Sequence, residues 1–141
     1  MERKYKLLIV DDDNHVRTTF QDYFTKRSFI VETASDGIEG LEKLRADEFD
    51  VAIVDMKMPK MNGIDMINQA LTNDDTDANM IIISTPDESN KGDVIKALNI
   101  GVDAWFEKSE LEMPRLLKRV TELAQVIPPE MIRRVTSMIP N

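Results

Sequence analysis

Short apolar runs rich in Ile and Val alternate along the chain with stretches whose apolar residues recur at helical spacing. The runs fall at residues 6–10, 29–33, 51–54, 80–84 and 104–106. Each is short enough to be a buried strand. Between them, Val16, Phe20, Tyr23 and Phe24 share one helical face, and Ile38, Leu41 and Leu44 share a second. Ile64, Ile67 and Leu71 define a third face, and Val94, Ile95 and Leu98 a fourth. Leu116, Leu117, Val120, Leu123 and Ala124 define a fifth. Strands alternating with helices predict an α/β domain: a five-stranded parallel sheet, doubly wound by right-handed crossovers. The polar stretch 72–79 reads as the longest connection, solvated and flexible. Pro128-Pro129 ends the fifth helix. Ile132, Val135, Met138 and Ile139 follow at roughly helical spacing and read as an extra terminal turn or the start of a linker.

The polar residues at the strand ends carry the chemistry. Asp11, Asp12 and Asp13 follow the first strand, Asp55 ends the third, Ser84 and Thr85 end the fourth, and Lys108 follows the fifth. In a parallel sheet these ends share one edge, where ligands bind at the switch point in strand order. Clustered carboxylates repel one another, so a cation is expected among them. Mg2+ takes oxygen ligands, uses one or two carboxylates and leaves room for phosphoryl oxygens. A carboxylate can attack phosphorus to give an acyl phosphate. A lysine and a hydroxyl supply the charge and the hydrogen bond that phosphoryl transfer needs.

In order and spacing these residues resemble the response-regulator receiver domain of two-component signalling. The motifs are Leu-Ile-Val-Asp-Asp-Asp ending at Asp13, Asp55-Met56-Lys57-Met58-Pro59 with Met61 and Gly63, then Thr85, and Gly101-Val102-Asp103 leading to Lys108. The resemblance spans residues 5 to about 126. It implies a flavodoxin-like sheet of strand order 2-1-3-4-5, with residues 1–127 as the phosphoacceptor domain and 128–141 as a short C-terminal extension or linker. It also implies that Asp55 is phosphorylated and that Asp12 binds Mg2+ directly, Asp11 mainly through water. The Lys57 backbone carbonyl and Asp55 complete the metal site. Thr85 and Lys108 bind the phosphoryl group, and Trp105 takes the place of the switch aromatic.

The implied partners are a histidine kinase or histidine phosphotransfer protein as donor, and a downstream protein or output domain. A homodimer through the fourth helix, fifth strand and fifth helix is a further implied partner. The implied role is a switch whose own chemistry is at most slow self-phosphorylation and dephosphorylation, not an enzyme with a separate substrate. An aspartyl-phosphate phosphatase would want a second acid where this chain has Lys57.

Three positions depart from the family pattern. Pro86 follows Thr85 where a small residue is usual, Ser109 follows Lys108 where proline is usual, and the aromatic is tryptophan. A cis bond before serine costs about 2.5–4 kcal/mol, so a trans bond is expected there. These departures motivate the alternative of a receiver-fold interaction module that signals without phosphorylation. Asp13 and Asn14 suit capping of the first helix, and Met58 and Met61 suit packing. His15, the only histidine, reads as a surface residue, so the phosphoryl donor is another molecule.

Length and charge narrow the picture further. The 141 residues fit one domain, and the absence of cysteine excludes disulfides and thiol chemistry. A net charge of -8 disfavours direct binding to nucleic acid or anionic membranes. The apolar run to Val10 stops at three aspartates, so neither a signal peptide nor a membrane span is expected. A cytoplasmic protein is the expectation.

Overall fold

The computed structural model describes residues 4–85, 91–125, 134 and 137–139. Five strands, β1 (Lys6–Val10), β2 (Ile30–Ala34), β3 (Val51–Asp55), β4 (Asn79–Ser84) and β5 (Ala104–Glu107), pair in parallel in the order β2-β1-β3-β4-β5. Five helices alternate with them: α1 (Asn14–Thr25), α2 (Gly37–Ala46), α3 (Gly63–Thr72), α4 (Lys91–Ile100) and α5 (Met113–Ala124). This is the flavodoxin-like sheet expected from the sequence. Winding outward from β1 to β2 and back to β3 places the switch point between β1 and β3.

The central strands bury both faces, which explains their unbroken apolar sequences. Leu8, Val10, Ala52, Val54, Met80 and Ile82 form one layer with buried residues of α2, α3 and α4. Leu7, Ile9, Val51, Ile53, Ile81 and Ile83 form the other with Phe20 and Phe24 of α1 and Leu116, Val120, Leu123 and Ala124 of α5. Aspartate and asparagine side chains start three helices. Asp13 accepts from the His15 and Val16 N–H groups, Asp36 from that of Glu39, and Asn62 from that of Asp65. Gly101 takes φ +105° just past α4, a turn that disfavours any side chain. Asp103 then docks β5: its N–H donates to the Met80 carbonyl and its carboxylate accepts from the Met80 N–H, each at 2.8 Å.

Two helical faces differ from expectation. Ile38 of α2 is 43 % exposed, and the helix packs instead through Gly37, Gly40, Leu41 and Leu44. On α4, Ile95 and Leu98 are 52 % and 62 % exposed, and Ala97 is the buried residue. Close approach selects the small residues: a Cβ on Gly40 would lie 3.0–3.1 Å from Met66 and Val10 side-chain atoms. Nor is the connection after α3 the longest. Residues 56–62, between β3 and α3, outnumber residues 73–78 by seven to six. That second loop is tied down by an Arg45–Asp75 ion pair at 2.9 Å and by the buried Ala78.

No cis peptide bond occurs among the described residues, and Ser109 follows Lys108 in trans within a 3-10 turn, Lys108–Glu110. Pro86, Pro128-Pro129, Ile132 and Val135 lie outside the described residues, whereas Met138 and Ile139 are exposed. Among the described residues no helix is long and apolar enough to cross a membrane.

Candidate functional site

The site lies where β1 and β3 end, at the switch point. Asp11 and Asp55 are 4 % and 3 % exposed, unusually buried for carboxylates. Asp12, between Asp11 and the capping Asp13, is exposed. Carboxylate oxygens of Asp11, Asp12 and Asp55 lie within 4.8 Å of one another. The chain end of β5 supplies the opposing charge. Lys108 Nζ stands 3.1 Å from Asp55 Oδ1 and 3.5 Å from Asp11 Oδ2.

Local structure holds each of these groups. Asp11 Oδ1 accepts from the Asp13 N–H at 2.9 Å, and the Arg17 guanidinium donates to the Asp11 carbonyl at 2.6 Å. Asp55 closes β3, and the loop after it folds back through a 2.8 Å bond from the Gly63 N–H to the Met56 carbonyl. That return is tight enough to require glycine, since a Cβ at Gly63 would sit 2.4 Å from the Asp55 carbonyl oxygen. The loop thereby presents Lys57, Met58 and Pro59 to the cleft that Asp12, Asp55 and Lys108 also line. Lys60 within it has a positive φ of 71° and pairs with Asp36 at 3.3 Å.

Electrostatics follow from burial. Desolvation pushes the Asp11 carboxyl above its ordinary value, and the neighbouring Asp12 charge adds to this. The Asp13 N–H and the Lys108 ammonium oppose it. For Lys108, burial acts downward, but the Asp11 and Asp55 charges outweigh it and raise its pKa. The donor set is oxygen only, one member open to solvent and two buried, beside a cleft. Such a set fits a hard cation that keeps part of its water, as Mg2+ does.

The structure thus brings Asp11, Asp12, Asp55, Lys57 and Lys108 together. Asp13 caps α1, Met58 is buried and Met61 packs against the core, as their sequence contexts indicated. Thr85 directly follows β4 at the same edge and is half-buried. Trp105 lies on β5, its ring against the layer that contains Ala97 of α4, and its Nε1–H donates to Ser84 Oγ at 2.9 Å. The sequence marked Ser84 only as a strand-end hydroxyl. Alternation along β4 puts residues 80, 82 and 84 on one face, with Ile82 opposite Trp105. That register makes the contact, and no local sequence pattern displays it.

Residues 7–121 match the family described as response regulator receiver domain, and the chain belongs to that family. Among curated proteins it is 27 % identical over 125 residues to "Response regulator MprA" of Mycobacterium avium (strain 104), covering 89 % of this chain and 53 % of that protein. It is 28 % identical over 118 residues to the protein of the same name from Mycobacterium ulcerans (strain Agy99), covering 84 % and 49 %. The chain therefore spans about half the length of these relatives. Among solved structures, a CheY-like receiver domain protein from Methanospirillum hungatei JF-1 superposes with a TM-score of 0.80 at 25 % identity, covering 86 % of this chain and 94 % of that one. Chemotaxis protein CheY4 of Vibrio cholerae gives 0.77 at 26 %, with coverage of 86 % and 99 %.

Proposed function

We propose that the chain is a phosphorylation-dependent signalling switch that accepts a phosphoryl group on Asp55. One observation carries this reading: a buried carboxylate at the switch point has two further carboxylates within 4.8 Å and a lysine ammonium at 3.1 Å. A carboxylate so placed is a nucleophile with its charge partner already in position.

In the proposed reaction an Asp55 carboxylate oxygen attacks the phosphorus of a phosphohistidine on a histidine kinase or phosphotransfer protein. The O–P bond forms, the N–P bond breaks, and the imidazole nitrogen keeps the electron pair and takes up a proton. Bound Mg2+ would neutralise phosphoryl charge. Asp12 and Asp55 would hold it directly, Asp11 mainly through water, and the Lys57 backbone carbonyl would add a ligand. Lys108 is the fixed cation for the transferred group, and Thr85 the hydroxyl drawn toward it. Trp105 then responds, and the surface of α4, β5 and α5 changes for a downstream protein, an output domain or a second copy of the chain. Slow self-catalysed gain and loss of the phosphoryl group is the only chemistry assigned. Residues 1–127 form the receiver unit, with 128–141 as extension or linker. A cytoplasmic setting without nucleic-acid contact suits the net charge of -8.

A second reading keeps the fold as an interaction module that signals without phosphorylation. Ser109, trans and in a 3-10 turn beside Lys108, favours it together with Pro86 and Trp105. Hydrogen exchange with and without beryllofluoride, a phosphoryl mimic, separates the two. A switch slows or speeds exchange at α3, its following loop and the region from Thr85 to Lys108. Uniform exchange with the mimic bound would leave the static module.

A further inference from the structure

Arg17 is the fourth residue of α1 and is half-buried. A cation this close to a helix N-terminus is disfavoured by the dipole, so its place is set by what the side chain touches. Helical side chains lean toward the N-terminus, and Arg17 follows that lean back to the end of β1. Its guanidinium donates to the Asp11 carbonyl at 2.6 Å and, through the other nitrogen, to Asn14 Oδ1 at 3.2 Å. Its backbone N–H donates to the Asp13 carbonyl at 3.0 Å. The carbonyls of the residues on either side of Asp12 are therefore both held by one residue. Asp11 is also fixed to β2, its N–H donating to the Ala34 carbonyl at 3.1 Å. Asp12 is exposed, so the backbone that carries it, not packing around its side chain, sets where its carboxylate stands.

We propose that Arg17 is a positioning residue for the metal site: by holding the Asp11 and Asp13 carbonyls it fixes the Asp12 backbone and pre-forms that carboxylate for Mg2+. The metal half rests on the reading of the Asp55 site above. The sign of the effect separates this role from simple electrostatics. A guanidinium bonded to the Asp11 backbone repels a cation held by the Asp11, Asp12 and Asp55 carboxylates. By Coulomb's law alone its removal would tighten Mg2+ binding. Acting through the backbone, its removal instead lets residues 12 and 13 leave the binding geometry. The apparent dissociation constant then rises by the inverse of the competent fraction, about three- to tenfold if that fraction falls to between a third and a tenth. The N–H bond to Asp13 belongs to the helix backbone and survives substitution, so the bond to Asp11 is the one a side-chain variant removes.

Arg17→Met keeps an apolar stem and removes the charge and the donors. In the full chain its Mg2+ dissociation constant, followed by amide chemical shifts, should be about three- to tenfold above the wild-type value. Arg17→Lys, which keeps the charge and can still donate to the Asp11 carbonyl, should recover at least half of that loss on a logarithmic scale. In the metal-free protein, amide order parameters at Asp12 and Asp13 should lie near about 0.85 in the wild type and fall below about 0.6 in Arg17→Met. Those of β1 and β3 should not change. Equal or tighter Mg2+ binding in Arg17→Met, a loss that Arg17→Lys does not recover, or unchanged order at residues 12 and 13 would overturn the positioning role. Should Arg17→Met fail to fold, Arg17→Gln carries the same two predictions. Failure of Mg2+ to bind the wild type would instead overturn the metal site, and the order parameters of the metal-free protein still decide whether Arg17 holds the backbone around Asp12.

Discussion

Lys108 Nζ lies 3.1 Å from Asp55 Oδ1, bringing the last residue of the motif set onto the carboxylate that ends β3. The two are 53 positions apart in sequence (108 minus 55) and meet because β3, β4 and β5 are consecutive in a parallel sheet. The same ammonium reaches Asp11 at 3.5 Å, so one cation serves two buried acids.

One cation for two buried acids leaves a cost in the empty site. Burial raises the Asp11 pKa despite Lys108, so its charged form is disfavoured there. Asp11→Asn should therefore stabilise the protein without Mg2+ at neutral pH, by about 0.5–2 kcal/mol, while weakening Mg2+ binding. Exposed Asp12 carries no such burial cost. Asp12→Ala should leave stability within about 0.5 kcal/mol and also weaken Mg2+ binding. Denaturant melts and a Mg2+ titration followed by Trp105 fluorescence check both. Unchanged Mg2+ affinity in Asp12→Ala would remove Asp12 from the metal site.

Gly63→Ala should be destabilising, because the new Cβ would meet the Asp55 carbonyl oxygen at 2.4 Å. Overpacking of this kind costs about 1–3 kcal/mol. The obstacle is backbone, so relief must come from moving the loop that presents Lys57 or the end of β3. Loss of Mg2+ affinity should accompany the loss of stability. A variant with wild-type stability would show that the return from Asp55 to α3 yields to a Cβ at little cost.

Asp36→Ala should cost about 1 kcal/mol by removing the cap of α2, and the cost should depend on pH. The Glu39 N–H, followed by Lys60, holds the Asp36 carboxyl below its ordinary value of 3.8. A depressed carboxyl contributes stability that is fully present above its unfolded value and is lost as pH falls through the folded one. Wild type and variant should thus converge as pH drops below about 4. Urea midpoints across this range test the sign; a gap that widened in acid would contradict it.

Much of the fold was legible because β1, β3 and β4 are buried on both faces and cannot tolerate polar interruption. The site was legible because its acids and lysine stand where strands stop. What escaped was carried by small or ambiguous residues. Ile38, Ile95 and Leu98 drew the helical faces toward large side chains, whereas the real contacts use Gly40 and Ala97, which a hydrophobic period underweights. The α3–β4 loop looked free because its residues are polar, yet Asp75 is spent on Arg45. Ser84 was visible as a strand-end hydroxyl, but its partner depends on the register between β4 and β5, which no local pattern displays.

Mg2+-dependent labelling at Asp55 tests the proposed function most directly. Incubated with acetyl phosphate and Mg2+, the wild-type chain should gain one acid-stable, base-labile phosphoryl group by intact mass. Borohydride reduction followed by peptide mapping should place it at Asp55. Asp55→Asn, nearly isosteric but a far poorer nucleophile, should gain none, and chelation of Mg2+ should suppress labelling of the wild type. Stoichiometric labelling of Asp55→Asn, or a wild type that stays unlabelled with Mg2+ and donor in excess, would contradict the assignment of Asp55 as phosphoacceptor.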